Sequence, residues 1–360
     1  MEPRPSTNEI DALEGRLGAS WGAIRGARER TAERLKTLTD ALASLHDPDC
    51  AVVVTGSLGR GEAGDGSDAD WVLLVDGPSN PDHARMARAI AKQVSDAGFE
   101  DVGPTGTFGS IVVSHELVHY IAGTRDTNEN LTRRVLLLAE SRALTSPVVR
   151  ERVIRNVLSR YVRHDRSVES TTGHYHGIPH FLLNDVVRYW RTMASDYASK
   201  MWERTQQGWA IRNIKLRFSR KLLFVWGLLA SFSAQLFQTE DLASADRERN
   251  EEEYLMLLSE LIRQQTEITP LELLARVASD PRVPLETAGK IFSAYDEFLA
   301  ALSNPDTRER LKLLPFGKAA TDDVYGPLRE ASTRFREGIN DLFFDHHPDL
   351  ARLIRRYGVF

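Results

Sequence analysis

At 360 residues, with 42% hydrophobic and 27% charged side chains, the chain has the composition of a soluble globular protein with room for two cores. Its formal net charge of −5 argues against a general nucleic-acid coat, and its single cysteine, Cys50, excludes an internal disulfide. That cysteine usage, with an opening MEPRPSTNEIDALEGR that lacks the apolar core of a signal peptide, points to a cytoplasmic setting.

Residues Asn8 to His46 carry apolar residues at steps of three to four, first Leu13, Leu17, Trp21 and Ile24, then Leu35, Leu38, Leu42 and Leu45. The period predicts one or two helices packed against the domain that follows, ended by His46-Asp47-Pro48. Val52-Val53-Val54 then reads as a buried strand, and Gly56-Ser57, Gly59 and Gly61 as a turn that lets backbone approach a ligand closely. Ten residues separate Ser57 from Asp68, and Trp71 to Val75 continues as a second strand. Alternate side chains of a strand share a face, so Asp68 and Asp70 point one way, Ala69 and Trp71 the other. Paired carboxylates facing a glycine turn suit a hard divalent cation and a phosphate.

This order of parts, apolar–Gly-Ser, ten residues, then Asp–apolar–Asp–apolar, resembles the signature of the DNA polymerase β-like nucleotidyltransferase superfamily. Within it, GSLGRGE followed by SDAD is most similar to the branch of PII uridylyltransferases and glutamine-synthetase adenylyltransferases. The resemblance implies an α+β protein, with a polymerase β-like α/β core followed by an all-helical domain. It also implies that Asp68 and Asp70 are catalytic metal ligands for Mg²⁺ or Mn²⁺. Ser57 and the Gly56 turn would hold the β- and γ-phosphates of a nucleoside triphosphate, ATP or UTP, with Arg60 an added cation. Many members carry a third acid on a later strand. The predicted strand Phe108 to Val113 has none, which leaves Asp101 and Glu116 as candidates.

Beyond the second strand, Gly77-Pro78-Ser79-Asn80-Pro81 is a loop, His83 to Ala97 a helix, and Phe99 to Val102 and Phe108 to Val113 strands. Arg125 to Asn130 leads into a helix over Leu131 to Leu144, whose Glu140-Ser141-Arg142 resembles the segment after the core in the uridylyltransferase-like branch. Helical patterns fill the remainder: Val148 to Val162, Phe181 to Trp202, Ile211 to Phe237, Leu255 to Gln264, Pro270 to Ala278, Leu285 to Leu302 and Tyr325 to Phe344. The most apolar run, Leu222 to Phe237, is about sixteen residues with three polar ones, short for a membrane span, and reads as a buried helix. These boundaries divide the chain into an N-terminal helical segment (1–46), a catalytic domain (47–145) and a helical nucleotide- and substrate-binding domain (146–360).

From Glu151 to Lys221 there are fourteen Arg and Lys against six Asp and Glu, the balance a triphosphate-binding wall needs. Asn184, Arg188 and Arg191 share one helical face, and Arg212, Lys215 and Ser219 another. By resemblance, Arg188, Arg212 and Lys215 reach the triphosphate, each read equally well as a solvated or ion-paired face. Tyr189, Trp190 and Trp209 fit a core better than a base-stacking box. His174, His176 and His180 have a zinc-compatible spacing but no fourth ligand, and His346-His347 reads as surface. No Walker-type GK[ST], HExxH or nucleophile elbow is present. The expected activity is NMP transfer from an NTP to an acceptor hydroxyl with release of pyrophosphate, the acceptor a protein. RNA, a nucleotide or a small molecule is the alternative acceptor, and a degenerate nucleotide-binding module the alternative class.

Overall fold

The structure, a computed structural model, describes residues 9–100, 108–163, 177–203, 207–237, 240, 242 and 251–358. The two strands flanking the glycine turn form as expected. β1 (Cys50–Val54) and β2 (Trp71–Val75) pair antiparallel, with Val52 opposite Leu73 and Val54 opposite Trp71. β3 (Ser110–Val113) lies parallel to β2, and β4 (Arg142–Ala143) antiparallel to β1, which gives the order β3-β2-β1-β4. The helices along this part of the chain are α1 (Glu9–Leu17), α2 (Gly22–Leu42), α3 (Gly56–Arg60), α4 (Asp82–Asp96), α5 (Ser114–His119), α6 (Asn128–Glu140), α7 (Pro147–Arg163) and α8 (His180–Glu203). Helices make up the rest, so the class is α+β.

The unbroken apolar run of β1 is explained by cover on both faces of the sheet. On one face Cys50, Val52, Val54, Trp71, Leu73 and Val75 pack with Leu38 and Leu42 of α2 and Ile90 and Val94 of α4. On the other, Val53, Val72, Leu74 and Val112 meet Leu117 of α5 and Leu136 and Leu137 of α6.

The chain divides into two compact units, each assembled from separated stretches: Arg28–Tyr189 with Ala230–Thr269, and Met1–Ala27 with Trp190–Leu229 and Pro270–Phe360. The first holds the sheet. In the second, α1 packs on the helices Pro270–Ala278 and Leu285–Ser303. Trp21 Nε1 donates to Ser293 Oγ at 3.1 Å, and its ring lies 5.1 Å from that of Phe292. The later part of α2 packs on the sheet as expected, and α1 on these helices of its own unit. Hydrophobic period identifies an amphipathic helix but not its partner.

Other boundaries differ for identifiable reasons. The helix expected to run to Leu144 ends at Glu140, where Ser141 turns extended and the chain adds β4 to the sheet edge. The single helix expected over Ile211 to Phe237 is broken by a π turn at Leu216–Arg220. A π turn holds an extra residue per turn, so Ser219 is buried, its hydroxyl on the Lys215 carbonyl, while Arg212 and Lys215 stay part-exposed. Phe218 of that turn stacks on Phe298 at 4.5 Å. His347, expected at the surface, is buried and caps the helix Pro348–Leu353. No helix among the described residues is long and apolar enough to cross a membrane.

A buried ionic cluster joins three helices behind the sheet. Arg134 of α6 donates to both Asp126 oxygens at 3.0 and 2.9 Å and to Asp185 of α8 at 2.6 Å. Tyr161 of α7 donates to Asp185 at 2.7 Å, and Arg188 donates to Asp126 at 2.9 Å. Burial by itself pushes the Asp126 carboxyl up, but Arg134 and Arg188 outweigh it and hold the group below the usual carboxylate range. A depressed carboxyl contributes stability above its unfolded-state pKa of about 3.9 and loses it as pH falls through the folded value. The stability difference between wild type and Asp126→Asn, read from urea midpoints, is therefore expected to be largest near neutrality and to shrink below pH ~4. A difference that grows on acidification would contradict this account.

Candidate active site

The site begins where β1 and β2 meet at their last shared pair, Val54 and Trp71. Thr55 N–H donates to the Asp70 carbonyl at 2.9 Å, so the two strands stay joined one step further. The chain then enters α3 through Gly56, whose φ of +68° lies in the left-handed region that glycine adopts without a Cβ penalty. A Cβ built at Gly56 would stand 2.7 Å from Asp70 Oδ2, so the carboxylate lies directly over the glycine. Along the entry to β2 the alternation holds: Asp68 is exposed, Ala69 buried, Asp70 half-buried and Trp71 buried. Asp68 and Asp70 thus leave the core on the side away from Ala69 and Trp71. Among the described residues no hydrogen bond engages the Asp68 carboxylate or the Ser57 hydroxyl.

A carboxylate from α6 sets this turn. Glu140, the last residue of α6 and 4% exposed, accepts the Gly56 N–H at 2.9 Å. Its other oxygen takes Arg60 Nη1, while Arg60 Nε binds Glu62 at 2.6 Å. Arg60 is thus committed to two carboxylates of its own chain and ties α3 to α6. Gly59 faces the Glu140 backbone, where an added Cβ would come within 1.5 Å of the carbonyl oxygen. The two glycines should therefore respond differently to alanine. Gly59→Ala meets immovable backbone and is expected to cost about 3 kcal/mol or more of stability. Gly56→Ala should cost about 1–2 kcal/mol for the left-handed backbone, and displace the Asp70 carboxylate in a protein that still folds. Melting curves of the two variants check this; equal losses of stability would refute the distinction.

The place of a third acid is readable from the β2–β3 register. Val72 lies beside Ser110 and Val75 beside Val113, in parallel. Val113, the last residue of β3, is consequently already about five residue steps of roughly 3.3 Å from the level of Asp70, and Glu116 lies three residues beyond it in α5. Asp101 lies outside the described residues. On the face of β3 shared with Val72 the polar residue is Ser110, whose hydroxyl accepts from Arg133 of α6 at 3.0 Å. Arg133, 13% exposed in its side chain, is a cation near the sheet that charge counting along the chain overlooked.

The other predicted residues are distributed as follows. Arg188 belongs to the buried ionic cluster in the same unit as the sheet. Arg212 and Lys215 belong to the other compact unit. Tyr189 and Trp209 are buried, the Trp209 indole N–H on the Leu314 carbonyl at 2.7 Å. Of the three histidines, His174 and His176 lie outside the described residues, and His180 opens α8. A polar cleft of about 370 Å³, lined by Asp76, His115, His119 and Arg160 among others, opens at the opposite end of the strands from Asp70.

Two carboxylates on one side of a strand entry, a hydroxyl, and a glycine cradle that a methyl group would fill make a hard-oxygen donor set, which fits Mg²⁺ better than a softer ion. A mixed sheet sets a Gly-Ser helix start against an Asp–Ala–Asp strand entry, the arrangement that the resemblance to the nucleotidyltransferase superfamily implies. Residues 17–119 match the model of the family described as "Putative nucleotidyltransferase DUF294". The matched segment is under a third of the chain and contains α2 to α5, β1 to β3, Gly56, Ser57, Asp68 and Asp70. It leaves Arg133 and Glu140 outside. No curated protein matches the chain.

Proposed function

We propose that the protein transfers a nucleoside monophosphate from ATP or UTP to an acceptor hydroxyl, in a reaction dependent on Mg²⁺ or Mn²⁺, and that the acceptor is a protein. The observation that carries this reading is the closure of the Asp70 carboxylate onto Gly56, with Asp68 two residues away on the same side. The likeness of GSLGRGE and SDAD to the uridylyl- and adenylyltransferase branch supports the protein acceptor.

Asp68 and Asp70 would hold the divalent ion, which when bound neutralises charge on the triphosphate oxygens. Ser57 would supply its hydroxyl, with the Ser57 and Leu58 amides, for the β- and γ-phosphates; the Gly56 N–H, expected to join them, is already taken by Glu140. The acceptor oxygen forms its bond to the α-phosphorus as the bridging bond to the β-phosphate breaks. Pyrophosphate leaves with the electron pair, and the hydroxyl proton is released. Most of the rate comes from holding these groups in line. Glu140 positions the Gly56 amide, and Arg60, held by Glu62 and Glu140, fixes the turn rather than standing open to a phosphate. Arg188 is already bound to Asp126 and Asp185 in the buried cluster, so its expected role at the triphosphate rests on helical spacing and family likeness alone. The role of Arg212 and Lys215 at the triphosphate rests on their helical spacing and family likeness.

One feature favours a second reading. Among the described residues Ser110, and no acid, stands where β3 pairs with Val72, and a site without a third acid can bind nucleotide without transferring it. Label transfer from each of the four α-³²P nucleoside triphosphates, with Mg²⁺ or Mn²⁺, to lysate protein, total RNA or the chain itself separates the readings. Label on a protein band that is lost in Asp68→Ala/Asp70→Ala supports transfer to protein, and label on RNA replaces the acceptor. Nucleotide binding that ignores the metal, with no label anywhere, supports the binding module.

A further inference from the structure

We propose a second metal site in this unit, for a borderline-soft divalent ion of the zinc type, formed by Asp47, Cys50 and His83. These three residues come from separate elements: the loop before β1, the first residue of β1, and the first turn of α4. One donor atom from each lies within 4.8 Å of the other two. A circle of about 2.8 Å radius encloses any triangle with edges that short, and zinc bonds run about 2.0–2.3 Å, so side-chain shifts of roughly half an ångström bring all three to one ion.

The surroundings are those of a built site rather than a chance surface cluster. Cys50 is 2% exposed and sits in the core cluster, and His83 is 8% exposed. His83 stands with Ile90 and Val94 on the inward stripe of α4, a position where an apolar side chain would otherwise be expected. Asp47 is anchored from both sides, its side chain accepting the Asp49 N–H at 2.8 Å and its carbonyl the Ser146 hydroxyl. The donor set of one thiolate, one imidazole and one carboxylate differs in kind from Asp68 and Asp70. Sulfur and nitrogen select zinc-like ions, and paired carboxylates select Mg²⁺. The two sites are also separated along the sheet, because Cys50 pairs with Val75 whereas Asp70 precedes Trp71, at the other end of the same strand pair. Binding exchanges the thiol proton for the ion: the S–H bond breaks, a sulfur–metal bond forms, and one proton is released. Three protein ligands leave a fourth position for water. The ion would clasp the loop before β1 to the start of α4 and leave the proposed transferase chemistry to the opposite end of the strand pair.

The test uses the full chain with Zn²⁺ or Co²⁺ alone as probe. Wild type is expected to retain one zinc per chain through dialysis. Its Co²⁺ form should show the intense thiolate-to-cobalt charge-transfer band. Cys50→Ala should lose that band, and Cys50→Ala and His83→Leu should each weaken zinc by more than the roughly 10–100-fold that loss of an outer-shell partner costs. Asp68→Ala/Asp70→Ala and His174→Ala/His176→Ala should leave binding unchanged. Circular dichroism identifies a variant that fails to fold; the wild-type cobalt spectrum decides the matter without it. A cobalt complex with no thiolate band, zinc lost with His174/His176, or no zinc retained at all would overturn the proposal. In the last case Cys50 is a core thiol bonded to Asp47. None of these readouts depends on transferase activity.

Discussion

Asp70→Asn is expected to lower nucleotidyl transfer by about 10³-fold while leaving the melting temperature close to that of wild type. The substitution keeps the shape of the side chain and removes its charge. The carboxylate is half-buried and lies over Gly56, so an amide of the same size fits the same space. In the proposed reaction what would be lost is a hard anionic ligand for the divalent ion, and with it stabilisation of charge that develops on the phosphate oxygens. Loss of a single such electrostatic partner at a reacting centre typically costs about 10²–10³-fold. Asp68→Asn should behave similarly, and the double variant should be little worse than either single one, because two ligands of one ion act as a unit. The check is initial rates of pyrophosphate release at saturating nucleotide, with Mg²⁺ varied over several decades. A variant within tenfold of wild type at all metal concentrations would remove Asp70 from the metal site. A rate restored by high Mn²⁺ would instead mark it as a ligand of weakened affinity.

Arg134→Met is the substitution with the largest expected effect on stability. Arg134, Asp126, Asp185 and Tyr161 are at most 1% exposed in their side chains or as whole residues, and one guanidinium serves both carboxylates. Taking it away leaves Asp185 with the Tyr161 hydroxyl and a longer 3.5 Å pairing to Arg188, and leaves Asp126 with Arg188 and the Ala122 N–H, so two buried carboxylates share one part-exposed guanidinium. An unpaired buried charge of this kind costs about 3–5 kcal/mol, a large share of the roughly 5–15 kcal/mol that holds a folded domain together. Differential scanning calorimetry should show a fall of roughly 6–20 °C in the transition of this unit. The combination Arg134→Met/Asp185→Leu/Tyr161→Phe should recover most of that loss, since it removes the orphaned groups and leaves the Asp126–Arg188 pair intact. A single variant that melts within 2 or 3 °C of wild type, roughly the worth of 1 kcal/mol, would mean that the cluster is solvated in solution.

The legibility of this protein in its sequence follows the range of the forces involved. β1, β2 and the turn between them were readable because each is dictated locally: β-branched runs want a strand, and Gly56 is needed where φ is positive. The side on which Asp68 and Asp70 stand followed from the period of two, and the family likeness could be read from the same twenty residues. Helix existence was equally local for α7, α8 and the helix Leu285–Ser303, where the apolar stripe is long. Partners were not. Nothing in the period of α1 says that it packs beside Leu285–Ser303, because an apolar stripe fits any complementary stripe. The two residues of β4 carry no strand signal, and only pairing with Val53 and Val54 makes them a strand.

The same division applies to the site. The sequence alone determined the two carboxylates, the Gly-Ser start and the kind of ion they suit, since those rest on residue type and short spacing. Tertiary structure alone decided that Glu140, 84 positions from Gly56, holds the turn. It likewise occupied Arg60 with two acids and Arg188 with Asp126, placed Glu116 at the wrong end of β3, and brought Asp47, Cys50 and His83 together. Charge and donor chemistry are properties of a residue and can be counted along a chain. Whether a charge is already spent on a neighbour depends on distances of a few ångströms, which only the folded chain sets.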